Sequence, residues 1–137
     1  MTELHQLSPI TKDRLTHTQL VKYAGASGDF NPIHTVVPIA KQAGFPDVIA
    51  HGMYVMGIAG EAITTWFPRK TLRKFNVRFK RITYPGETLT VQGQLTDNKL
   101  VNGETRLVGK IQVVNQEEEI KLEGWFEVEK VEEEATC

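Results

Sequence analysis

Cysteine is almost absent from this 137-residue sequence: the one thiol is Cys137, at the last position. No intramolecular disulfide can form, so the fold rests on its core, as suits a reducing compartment. Cys137 sits where chains fray and is given no role. A dominant charge is missing too. Sixteen basic residues face seventeen acidic ones, for a net charge of −1, which points away from nucleic acid or an anionic membrane as the ligand. The opening residues, Met1-Thr2-Glu3-Leu4-His5, lack the basic and apolar regions of a signal peptide, so a cytoplasmic protein is expected. Repeats and low-complexity linkers are also lacking. The one stretch long enough to cross a bilayer, Val48 to Phe67, carries His51, Glu61 and several glycines, and reads instead as a helix buried by protein.

What is present fits one α+β domain spanning 1–137, with a flexible acidic tail from about residue 130. Thr16 and Gln19 have capping-box spacing and start a helix with Leu20, Tyr23 and Ala24 on one face. Gly25 and Gly28 end it, and Asn31-Pro32 must be extended or turning. Ile39 to Ala43 reads as a short helix closed by Gly44, and His51-Gly52 opens an apolar helix running to about Trp66, before Pro68. Phe75, Val77 and Phe79 then alternate with Asn76, Arg78 and Lys80 in strand period. Tyr84-Pro85-Gly86-Glu87 is a turn. Strands are expected over Leu89–Thr96, Leu107–Asn115 and Ile120–Val128, with a turn region over Asp97–Gly103, giving a four-stranded antiparallel meander that a short strand near Ile10 joins. A helix apolar all round must be wrapped, and a curved antiparallel sheet around it is the hot-dog arrangement. Its exposed sheet edge favours dimerisation.

Three features carry chemistry. In Gly28-Asp29-Phe30-Asn31-Pro32-Ile33-His34, a carboxylate and an imidazole on one stiff turn converge on a single water molecule, and histidine exchanges protons near neutral pH. On spacing alone, a turn former and a structural histidine explain the same residues more simply. Asp29, His34 and His51 lack compact metal-ligand spacing, and no metal is expected. Gly52 falls in the first turn of the long helix, where its N–H is unpaired and the helix dipole is positive. It serves either as an oxyanion donor or as a tight turn. Finally, no acidic residue lies between Ala62 and Gly86, while Arg69, Lys70, Arg73, Lys74, Arg78, Lys80 and Arg81 are basic. The stretch suits phosphate or carrier contact through Arg73, Arg78, Lys80 and Arg81, or a solvated strand face.

The run from Tyr23 to His34 resembles the hydratase motif of the MaoC-like, (R)-specific enoyl-CoA hydratases. Gly44-Phe45-Pro46-Asp47-Val48-Ile49-Ala50-His51-Gly52-Met53 is similar to that family's second signature, and Met56 through Trp66 with Phe75–Phe79 looks like the (3R)-hydroxyacyl-ACP dehydratases. The likeness implies that Asp29 and His34 are the catalytic acid/base pair, that Asn31 and Ser27 support the site, and that the Gly52 N–H binds the thioester oxygen. It further implies that His51, Met53 and Tyr54 meet the substrate. The implied reaction is hydration of trans-2-enoyl thioesters, or the reverse dehydration of (3R)-hydroxyacyl thioesters. Coenzyme A or acyl carrier protein would be the carrier, with no cofactor, in a homodimer or a heterodimer. Two positions depart from the pattern: Val36 replaces an acidic residue frequent after the motif histidine, and Tyr54 replaces a frequent leucine, so substrate length is more in doubt than chemistry. Rival readings are a hot-dog acyl-CoA thioesterase and a non-catalytic acyl-binding subunit.

Overall fold

The structure, a computed structural model, describes residues 5–131; most of the acidic tail and Cys137 lie outside them. Two short strands, β1 (His5–Gln6) and β2 (Ile10–Thr11), precede α1 (His17–Ser27), a 3-10 turn at Pro32–His34, α2 (Val37–Gln42) and α3 (Gly52–Trp66). Four longer strands follow: β3 (Leu72–Phe79), β4 (Thr90–Val101), β5 (Glu104–Val114) and β6 (Ile120–Glu129). All pair antiparallel in one sheet of order β1-β4-β5-β6-β3, with β2 also on β4. The protein therefore has the α+β hot-dog fold, with α3 against the sheet.

Several boundaries move from the sequence expectation. Thr16 does form the capping box with Gln19. Gly25, however, lies inside α1, and only Gly28, at φ 79°, ends the helix in the left-handed conformation. The expected turn over Asp97–Gly103 is mostly strand. A bulge between Leu95 and Asp97 lets β4 continue to Val101, and the turn is Asn102-Gly103, both at positive φ, as a two-residue hairpin requires. The meander is three-stranded, β4-β5-β6. The earlier strand, β3, crosses over to pair with β6.

The core forms where α3 meets the sheet: Val55, Ile58, Ala59, Ala62 and Ile63 pack with Leu89, Val91, Ile111, Val113, Leu122, Phe126 and Val128. Burying each large aliphatic or aromatic side chain contributes roughly 1.5–3 kcal/mol. Large rings settle onto glycines of the sheet, Phe126 over Gly109 and Trp66 over Gly93. The wrapping is incomplete: Met53, Gly57, Glu61 and Thr65 form an exposed stripe along α3. Among the described residues, no helix is long and apolar enough to cross a membrane.

Candidate active site

The loop after α1 is built from side chains that each bind the backbone two residues ahead. Ser27 Oγ accepts from Asp29 N–H at 3.2 Å, Asp29 Oδ1 from Asn31 N–H at 3.3 Å, and Asn31 Oδ1 from Ile33 N–H at 3.1 Å. Short oxygen-bearing side chains suit such turns. Pro32 begins the 3-10 turn that ends on His34. At the far end, His17 Nε2–H donates to the Thr35 carbonyl at 2.7 Å.

His34 is fixed from both sides. Ile49 N–H donates to the Ile33 carbonyl at 3.1 Å, and His34 Nδ1 bonds the Ile49 carbonyl at 2.8 Å. A carbonyl only accepts, so Nδ1 carries the proton and Nε2 presents a lone pair. That Nε2 lies 3.9 Å from Asp29 Oδ2, too far for a direct hydrogen bond and a spacing that one water bridges. The Asp29 side chain is 54% exposed while that of His34 is 10% exposed, so water reaches the pair from the Asp29 side.

His51 closes the cluster from beneath. It is 2% exposed, and its Nε2–H donates to the Asp29 carbonyl at 3.1 Å. Its ring stacks on His34 with centroids 3.7 Å apart and planes 22° apart, and meets the edge of Tyr23 at 4.8 Å. The next residue, Gly52, is the first of α3, and its N–H has no protein partner among the described residues. A Cβ there would touch the Phe79 ring at 3.4 Å, so the backbone at the start of α3 lies close against Phe79. Ala50 N–H donates to the Thr83 carbonyl at 2.8 Å, which ties the segment before Gly52 to the loop after β3.

Asp29, His34 and His51 offer ligand atoms within 4.8 Å of one another, so the fold unites groups whose sequence spacing had counted against a metal. The stacking counts against one more strongly. In-plane lone pairs of two face-to-face rings run nearly parallel and do not converge on a single ion. The cluster suits a water molecule better.

Other residues singled out from sequence fall into two groups. Met53 is 60% exposed beside Gly52. Tyr54 turns inward against Tyr23, at 5.2 Å between ring centroids, and with Leu15, Ile58 and Leu89 lines a cavity of about 180 Å³. The basic residues sort differently. Arg73 is held by Glu104 at 3.1 Å and Glu129 at 2.8 Å, and Lys80 by Glu123 at 3.4 Å. Arg78 and Arg81 are exposed and form no ion pair among the described residues. Part of the basic run is therefore engaged across the sheet, Arg73 and Lys80 meeting Glu129 and Glu123 of β6. Tyr23 and His17 were not singled out as site residues. Tyr23 shares the helical face of Leu20 and Ala24, which marks it only as core.

Residues 4–121 match the family described as MaoC-like domain, and the chain belongs to that family. Among curated proteins it is 41% identical over 68 residues to 3-hydroxyacyl-thioester dehydratase X of Mycobacterium tuberculosis, covering 50% of this chain and 24% of that protein. It is 34% identical over 95 residues to peroxisomal enoyl-CoA hydratase 2 of Arabidopsis thaliana, covering 66% and 30% respectively. The chain spans 6% to 30% of the length of the curated relatives it matches. Among solved structures, the unliganded R-hydratase of Pseudomonas aeruginosa is 25% identical with a TM-score of 0.79, covering 96% of this chain and 90% of that one.

Proposed function

We propose that this chain is a hydro-lyase of the (R)-hydratase type, adding water to trans-2-enoyl thioesters or removing it from (3R)-hydroxyacyl thioesters. The observation that carries the reading is the His34 Nε2 lone pair 3.9 Å from the Asp29 carboxylate, close enough for both groups to hold one water molecule from the side. The neighbouring Gly52 N–H opens a fifteen-residue helix, where partial positive charge favours an oxyanion.

The thioester carbonyl accepts from Gly52 N–H, which stabilises the enolate-like charge that develops as water adds. Water held between Asp29 and His34 gives one proton to the pair as its oxygen bonds the β carbon. The pair returns one proton to the α carbon and ends as it began; dehydration runs the same steps backwards. Carriers are coenzyme A or acyl carrier protein, and of Arg73, Arg78, Lys80 and Arg81 the exposed Arg78 and Arg81, without an ion pair among the described residues, are the two placed to meet a carrier phosphate. The Tyr54 ring packs against Tyr23 beside the site, and its bulk at this position favours short acyl chains.

The test is loss of absorbance at the conjugated double bond of crotonyl-CoA, followed by the chirality of the 3-hydroxy product. Asp29→Asn and His34→Ala are each expected to lower turnover by about 10²–10⁴, the usual scale for a positioned acid or base, with the fold unchanged by circular dichroism. Near-normal hydration by either variant would rule out the pair. Release of free thiol instead of hydration would make the protein a thioesterase.

A further inference from the structure

We infer that His51 is a positioning residue which locks the carboxylate of Asp29, the imidazole of His34 and the N–H of Gly52 into one rigid unit. The inference rests on the hydratase reading above. His51 stands at the N-cap of α3, where a side-chain acceptor ordinarily binds a first-turn N–H. It makes no such bond. Its Nδ1 is buried with no protein partner among the described residues, although buried polar atoms are almost always paired and an unpaired one carries a stability penalty.

The ring forgoes the cap because it is turned toward the loop. Its Nε2–H holds the Asp29 carbonyl at 3.1 Å, and its face lies 3.7 Å from His34. Tyr23 at 4.8 Å backs the ring and prevents it from swinging out. A rotation that let Nδ1 cap the helix would release the Asp29 backbone and break the stack together. At 2% exposure the ring lacks the surface to hold substrate directly, so it acts through its neighbours.

This role predicts a split between turnover and binding. Misplacing reacting groups by about 1 Å costs about 10² in rate, so His51→Leu should lower kcat on crotonyl-CoA about a hundredfold and leave KM within threefold. His51→Gln places an amide nitrogen the same number of bonds from Cα as Nε2. It should recover at least tenfold over His51→Leu, even if the melting temperatures of the two variants match. Imidazole 15N NMR of the wild-type protein at pH 8 should show His51 as the Nε2–H tautomer.

A His51→Leu enzyme that keeps more than a third of wild-type kcat, or that loses only KM, overturns the inference. So does a glutamine variant no better than leucine, or the Nδ1–H tautomer. If His51→Leu does not fold, the glutamine variant against wild type and the NMR tautomer still decide. Wild-type protein that hydrates no enoyl thioester removes the hydratase reading itself, a separate failure.

Discussion

At Gly52 an added methyl group is expected to affect stability and activity differently. Its φ is compatible with alanine, and the added Cβ would rest at 3.4 Å on the Phe79 ring. Alanine also lowers the conformational entropy of the unfolded chain, an effect of up to about 1 kcal/mol. Gly52→Ala is therefore expected to melt at the wild-type temperature or slightly above it while kcat for enoyl-thioester hydration falls at least tenfold, because the methyl crowds the oxyanion position. A variant with unchanged kcat would remove the Gly52 N–H from the mechanism. Residue types at this scale were readable in the sequence: the Ser27, Asp29 and Asn31 turns follow from short polar side chains two apart, and Gly52 from its place before an apolar run. The position of His51 was not. No local pattern says that a histidine at a helix start will turn back to a carbonyl 22 residues earlier and leave its other nitrogen bare.

At the scale of elements, the loop after β3 is held by a buried lysine. Lys121 on β6 is 3% exposed, donates to the Ile82 carbonyl at 2.9 Å, and pairs with Glu87 at 2.8 Å. Burial pushes the Glu87 carboxyl up, but hydrogen bonds from Lys121, the Tyr84 N–H and Asn115 together outweigh it and hold the group below the usual carboxylate range. A carboxyl lowered by folding stabilises the protein above its unfolded value, and that contribution is lost as pH falls through the folded value. Glu87→Gln should therefore cost about 3 kcal/mol at pH 7, since it leaves a buried ammonium only the longer pair to Glu119 at 3.4 Å. It should cost much less near pH 3, as read by guanidinium unfolding at the two pH values. An equal cost at both would show that charge is not what Glu87 contributes. The helices, the alternating strands and the Tyr84–Glu87 turn could be read locally from capping, period two and the Pro-Gly pair. The extension of β4 past Leu95 could not, because Asp97, Asn98 and Asn102-Gly103 look like one polar turn until the bulge and the pairing with β5 divide them. Nor could the pairing of Arg73 and Lys80, which depends on β3 lying beside β6.

Across the whole molecule, the chain leaves its candidate site open to solvent. Phe30 at 67% exposure, Met53 at 60% and Phe79 at 50% surround Asp29 and Gly52, and β3 is paired only on its β6 side. Exposed apolar groups beside a free strand edge are the ordinary material of an interface. A homodimer joined there is the proposed assembly, and sedimentation should give a mass near twice 15.4 kDa. A species of 15.4 kDa at working concentration would contradict it. The hot-dog architecture was legible from one apolar helix followed by strands, since little else buries such a helix. The strand order was not legible, because periodicity records which face a strand buries and not which neighbour it takes. That order bears on how the chain is made. The third strand ends at Phe79, and its mate begins at Ile120, so the sheet over the central helix closes only after the last strand has emerged from the ribosome. Contacts this distant in sequence slow folding, and until they form the sheet over the Gly52–Trp66 helix stays unclosed, a stage of exposed apolar surface and open strand edges that favours aggregation.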